Sequence, residues 1–343
     1  MLESLRRGRS LAGVTLAGVS LFVTIGARPL PMERPTAPAA DTLRFAPGPT
    51  DRPEIILTAD AAPAAASMSA TELATVSLLD RLDDDGARGQ SGRLQATVLP
   101  TRILTDLLGV DEVALLGLEE PGVRTLVDPR DGSARTVMTL VPFKARDSRG
   151  RIGAYRIGSW IGEKNPARAS ALPAGFIKVT AENADTPVSE HFTLRDFLTK
   201  DQAAVWPKYL VLRMEVVDKL ELMIDELRLM GHDVRYVKVM SGFRTPQYNA
   251  QGLGAGRATE SRHQYGDAAD IFVDNRRAWR QDDLTGDGRA DIRDARVIAE
   301  AANRVEKKHP SLVGGVGVYP ATSAHPPFVH VDVRGHRARW GSL

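Results

Sequence analysis

The sequence predicts an α+β protein, in which a run of short strands precedes a region that mixes strands with long helices. Three observations point to it. Between residues 94 and 160, short alternating apolar runs are separated by turn clusters. From Pro207 to Met230, Leu210, Met214, Val217, Leu220, Ile224 and Leu227 recur at helical spacing, and Gly231 follows as a stop. Near the C-terminus, Phe328-Val-His-Val-Asp332 alternates as a strand. Its valines share one face, and Phe328, His330 and Asp332 share the other.

A chain of 343 residues exceeds the usual size of one domain. Its 45 basic and 43 acidic residues are well mixed and leave a net charge of +2, so no basic run points to a nucleic-acid partner. The absence of cysteine excludes disulfides, thiolate catalysis and cysteine-built zinc knuckles.

Taken in order, Arg6, Arg7 and Arg9 precede an uncharged stretch from Leu11 to Ala27, the pattern of an export signal over residues 1–27. That stretch is shorter than the roughly 20 apolar residues of a free-standing membrane span. It reads as a signal that is either cleaved or retained as a membrane anchor through residues 10–27, placing the chain in the periplasm or cell envelope. Residues 28–92 are rich in Pro and Ala and read as a linker, with a short helix around Ala70 to Leu82. Residues 93–166 read as a small β-rich domain with strands over Gln95–Leu99, Val123–Val127 and Arg135–Val141.

Residues 167–343 form the third region. A strand is expected over Phe176–Thr180, a helix over Pro207–Met230, a strand over Asp233–Met240 and a helix over Ile292–Lys308. Gly252-Leu-Gly-Ala-Gly256 lacks the Lys-Ser or Lys-Thr of a phosphate loop and reads as a flexible rim.

The chemistry concentrates in Ser261-Arg-His-Gln-Tyr-Gly-Asp-Ala-Ala-Asp270 and in the last strand. His263, Asp270 and His330 make a three-ligand zinc site whose fourth position is open to water, the mark of a catalytic rather than a structural zinc. Asp332 has two available roles: orienting a ligand imidazole, or taking a proton from the bound water. His325 is the other candidate base. Arg244 leaves its strand in a turn set by Gly242 and Pro246, placed to bind a carboxylate or polarise a carbonyl. With Ser261 it is a candidate substrate-binding residue. His191, His232, His309 and His336 read as surface or capping residues.

A second ion site is written between Asp283 and Asp294. Asp283, Thr285, Asp287, Arg289 (through its carbonyl), Asp291 and Asp294 fall at calcium-loop spacing, with Gly288 at the sharp turn. Asp294 stands where Glu is usual.

At these residues the chain resembles the zinc D-alanyl-D-alanine carboxypeptidase and murein endopeptidase superfamily, which has the hedgehog-like zinc peptidase fold. The resemblance rests on Ser-Gly-Phe-Arg-Thr-Pro at 241–246, Ser-x-His-x-x-Gly-x-Ala-x-Asp at 261–270, Gly-Val-Gly-x-Tyr-Pro at 315–320 and Phe-Val-His-Val-Asp at 328–332. It covers about residues 170–343 and is nearest to the periplasmic murein endopeptidase branch. It implies a central antiparallel sheet with flanking helices, Zn²⁺ on His263, Asp270 and His330, and Arg244 facing the substrate. One departure stands out: where relatives carry a Glu just before the last zinc histidine, or a His two residues before it, this chain has Pro327 and Phe328. The expectation is an exported zinc peptidase that hydrolyses peptide cross-links of bacterial peptidoglycan. Two alternatives are a D,D- or L,D-carboxypeptidase trimming stem peptides, and a metal-containing wall-binding module without activity.

Overall fold

The computed structural model describes residues 68–165, 172–253 and 257–343. The expected export signal, the linker up to residue 67, residues 166–171 and residues 254–256 of the glycine rim lie outside the described residues. All described residues belong to one compact unit, Ala65–Leu343. Among them, no helix is long and apolar enough to cross a membrane.

Helix α1 (Ala70–Asp84) starts at a capping box in which Ser69 and Glu72 satisfy each other's backbone amides. It buries Leu78 and Leu82 against Leu104 of α2 (Thr101–Leu108) and Val113 of α3 (Val110–Leu115). Those two helices were not expected inside a β-rich segment. Each is under three turns, too short for a periodic signal to stand out.

The first sheet has five strands: β1 (Ala96–Leu99), β2 (Val123–Val127), β3 (Ala134–Pro142), β6 (Gly175–Val179) and β7 (Lys208–Leu210). A two-residue hairpin, β4 (Arg151–Ile152) and β5 (Tyr155–Arg156), lies between β3 and β6 in the chain. The expected boundary at residue 166 falls inside this sheet, because β3 pairs with β6 and β6 with β7. It also falls inside one hydrophobic core, which joins Met138 and Trp160 to Leu220 and Ile271. The helix expected from Pro207 begins only at Met214, as α5 (Met214–Leu229), with the short α4 (Leu194–Phe197) before it and the short α6 (Pro246–Ala250) after it. Lys208–Leu210 instead pairs with β6, where Leu210 faces Ile177 and both are fully buried.

The turn joining β2 to β3 illustrates how the edge is secured. The Asp128 carboxylate accepts from the Arg130 amide at 2.9 Å and from its guanidinium at 2.6 Å. The Arg130 side chain, first among the causes, holds that carboxyl down at about 2. The folded value lies below the unfolded one of about 3.9, so this stabilisation is complete above that pH and is lost as pH falls toward 2. Asp128→Asn is expected to remove that part of the acid-unfolding curve, read by far-UV circular dichroism between pH 2 and 5. An unchanged curve would refute the assignment.

The second sheet carries the site. Its order is β12 (Ala338–Gly341), β10 (Gly315–Tyr319), β11 (Phe328–Asp332), β9 (Ala268–Val273), β8 (Val237–Ser241). Every pairing is antiparallel except that of β12 with β10. On one face Val316, Val318, Val329, Val331 and Ile271 pack with α5 and α7 (Ile292–Lys308). Burying such a side chain is worth about 1.5–3 kcal/mol each. The sheet is therefore free to carry polar side chains only on its other face.

One charge crosses that core. Lys219 of α5 is fully buried and donates to Glu306 of α7 at 2.7 Å and to the Asp332 carbonyl at 2.8 Å. Arg339 also pairs with Glu306. Lys219→Met is expected to cost about 3–5 kcal/mol, because it leaves Glu306 half-compensated and the Asp332 carbonyl unpaired. An unfolding free energy from urea titration within 1 kcal/mol of wild type would contradict this.

Candidate metal centre

The polar face of the second sheet places residues by register. His330 of β11 stands opposite Asp270 of β9 on one side and Gly317 of β10 on the other. Gly317 must lack a side chain, because a Cβ there would overlap the Trp340 indole. Trp340 lies across β10 and packs on the His330 ring with centroids 5.2 Å apart. Its Nε1 donates to the Tyr319 hydroxyl at 2.7 Å.

His263 arrives from a different element, a 3₁₀ turn over Arg262–Tyr265. Gly266 ends that turn in the left-handed region at φ 67°, where a Cβ would also overlap the Val211 carbonyl. The neighbouring Gln264 carbonyl accepts from the Trp160 indole at 2.9 Å, so the N-terminal half of the unit helps hold the turn. Gly242, at the sharp turn after β8, sits where a Cβ would come within 2.6 Å of the Phe197 Cα.

Three donor atoms converge on this face. His263 Nε2 lies 3.1 Å from Asp270 Oδ1 and 3.1 Å from His330 Nδ1, and the last two are 3.0 Å apart. A tetrahedral zinc with bonds of about 2.0–2.2 Å holds its ligand atoms about 3.3–3.6 Å apart, a few tenths of an ångström wider than this triangle. The far side of each imidazole decides its tautomer. His263 Nδ1 lies 2.6 Å from the Gly242 carbonyl, which only accepts, so the proton is on Nδ1 and the lone pair on Nε2. His330 Nε2 lies 3.0 Å from Asp332 Oδ2, which leaves the lone pair on Nδ1. Two lone pairs and a carboxylate oxygen facing one another repel unless a cation sits among them. The three residues thus form a group that could hold a metal ion and is compatible with zinc, the one group of that kind among the described residues.

The electrostatics differ between the two imidazoles. Burial pushes the His263 imidazole below its ordinary value. Burial also opposes ionisation of Asp270, yet His263 and Arg244 outweigh it and hold the carboxyl well below the usual range. For His330, burial is outweighed by its hydrogen bonds to Asp270 and Asp332, which raise it, so a metal at Nδ1 competes with a proton.

The other expected residues fall into place around this triangle. Arg244 lines the cleft above it, with Nε donating to Ser241 Oγ at 2.8 Å and Nη2 paired with Asp270. Ser261 and His325 line the same cleft, which has a volume of about 550 Å³. Asp332 does not. It is fully buried, accepting from His330, from the Gly315 amide at 2.7 Å and from the Arg334 guanidinium. Asp332 therefore has no direct access to the cleft, which a proton acceptor for bound water would need.

Sequence reading missed Trp340, Tyr319 and Arg334, all of which line the cleft. The available signal was the Gly315-x-Gly317 pair inside a strand, since glycine there marks a close approach by another group.

Among the described residues, the carboxylates of the loop at 283–294 do not come together as a metal-ligand cluster. Asp283 accepts from the amides of Gly286 and Gly288, each at 2.7 Å, and Asp294 from those of Leu284 and Asp291. Arg293 neutralises Asp287 and Asp291. Thr285 donates to Asp283 and Asp294, and Arg289 donates its amide to Asp287. The expected calcium ligands are thus engaged within the loop and with Arg293. Asp291 of this loop caps α7, whose first residue is Ile292 as expected.

No protein-family model matches the chain, and no curated protein matches it. Among solved structures, the crystal structure of the Serratia marcescens L-Ala D-Glu endopeptidase ChiX is similar at 19% identity and a TM-score of 0.24. That likeness spans 36% of this chain and 82% of the other, so the site is read from its own geometry.

Proposed function

We propose that this chain is a zinc-dependent peptidase that hydrolyses peptide bonds in bacterial peptidoglycan, acting on cross-links. The observation that carries the reading is the convergence of His263 Nε2, Asp270 Oδ1 and His330 Nδ1 on the floor of a cleft, without a fourth protein ligand among the described residues. The peptidoglycan substrate rests on the four motifs at 241–246, 261–270, 315–320 and 328–332. When bound, zinc brings the pKa of a coordinated water to about 7 and polarises a scissile carbonyl.

The chain's own residues do the rest. Asp332 holds the Nε2 proton of His330 and so keeps Nδ1 available. Arg244 and Arg334 place two guanidiniums at the cleft, suited to a developing oxyanion or a substrate carboxylate. Met240, Phe272 and Phe328, with Tyr319 stacked on Phe328 at 4.6 Å, make an apolar floor for short side chains. His325 Nδ1 donates to the Pro326 carbonyl at 2.9 Å, so its Nε2 carries the lone pair that accepts a proton from the attacking water.

The test is a muropeptide profile of purified peptidoglycan incubated with the protein, with and without a zinc chelator. Loss of cross-linked dimers that the chelator prevents is the expected result. Shortened monomers with dimers intact would replace it with a carboxypeptidase, and an unchanged profile with a wall-binding module.

A further inference from the structure

We propose that Lys200 and Lys238, held over the indole of Trp279, form a carboxylate-binding subsite beside the metal cleft that takes an acidic side chain of the peptide. The inference rests on the peptidase reading and names a feature of its substrate. Lys238 lies on β8 two residues from Met240, so both point to the polar face of the sheet, and Met240 lines the cleft. The register sets Lys238 against Phe272, whose ring meets that of Trp279 edge-on at 5.6 Å. The Lys200 ammonium is 4.8 Å and the Lys238 ammonium 5.7 Å from the centre of the Trp279 ring.

Two features distinguish this patch from ordinary surface lysines. Among the described residues, neither ammonium has a carboxylate within ion-pair distance. Although Lys200 is an exposed residue, local desolvation, then repulsion from Lys238 and Arg244, hold it below its ordinary value, with Asp270 opposing them. An anion is the ligand this cluster lacks.

Trp279 is also displayed at a cost. It is 44% exposed and adopts φ 58°, a region that bulky side chains avoid at about 1–3 kcal/mol. The buried Asp274 carboxylate enforces that backbone by accepting from the amides of Ala278 at 2.9 Å and Trp279 at 2.8 Å. The indole in turn gives both ammoniums a surface to rest on while their N–H groups remain available.

The experiment uses the zinc-loaded full chain and two synthetic tetrapeptides that differ only by Glu against Gln, with affinity read by calorimetry and hydrolysis followed in parallel. The Glu peptide is expected to bind about tenfold tighter. That ratio should fall toward one in Lys200→Met/Lys238→Met, and in wild type at 1 M salt, where screening shortens to about 3 Å. The salt series keeps the test alive if the double variant does not fold. Equal affinities in wild type, or a preference that survives in the folded double variant, would overturn the subsite. A preference with neither peptide cleaved would count against the peptidase and leave the subsite standing; cleavage without preference would do the reverse.

Discussion

Replacing His263 with alanine is expected to abolish tight zinc binding and to lower peptidoglycan hydrolysis on the order of 10³-fold or more, the equivalent of several kcal/mol of lost charge stabilisation. The size follows from the geometry. His263 is one corner of a triangle with sides of 3.0–3.1 Å, and the other two corners are a single imidazole nitrogen and a single carboxylate oxygen. Two protein ligands hold zinc far more weakly than three fixed ones. The alanine also unpairs the Gly242 carbonyl, which adds about 1–3 kcal/mol of instability. Metal content after dialysis against zinc-free buffer, measured on protein confirmed to be folded, separates the two losses. A folded variant with full zinc occupancy and full turnover would refute the site.

The second large effect is expected at a residue that does not touch the metal. Asp332→Asn keeps size and shape, and its carbonyl oxygen still accepts from the Gly315 amide. Its amide group, however, then faces His330 Nε2 in place of a carboxylate oxygen. A donor there drives the proton to Nδ1, the atom that must carry the lone pair. The uncompensated Arg334 guanidinium works in the same direction, since it loses its charged partner. Zinc affinity is expected to fall 10–100-fold, with turnover restored in part by excess zinc. Competition with a chromophoric chelator gives the affinity directly. Unchanged affinity in Asp332→Asn would mean that Asp332 is not what sets the His330 tautomer.

Much of this was legible in the chain itself. The alternation in Phe328-Val-His-Val-Asp332 already separates a valine face from a polar face, and the structure buries Val329 and Val331 while aligning His330 with Asp270. Helix α7 is readable from its acidic N-terminal cap and long amphipathic run, and the structure places it at Ile292–Lys308 as expected. Other elements read misleadingly. Leu210 fits the helical spacing of α5 equally well as a strand residue, and pairing with β6 decides between them. Residues 93–166 present their own alternating strands, yet β3 needs β6 to cover its edge, so one sheet runs across the expected boundary.

What the sequence determined by itself is therefore the set of local facts: which residue types are present, which face of a strand each one takes, and where helices are capped. Those facts follow from backbone geometry over a few residues and do not depend on what packs nearby. The tertiary structure alone decided that His263 Nε2 and His330 Nδ1, 67 positions apart in sequence, face each other at 3.1 Å. It alone brought Trp340 over Gly317, sealed Asp332 behind His330, and let Arg293 neutralise the carboxylates of the acidic loop. Each of these depends on contacts between distant segments, and a side chain's tautomer, charge and access to solvent are set by whatever those contacts place beside it.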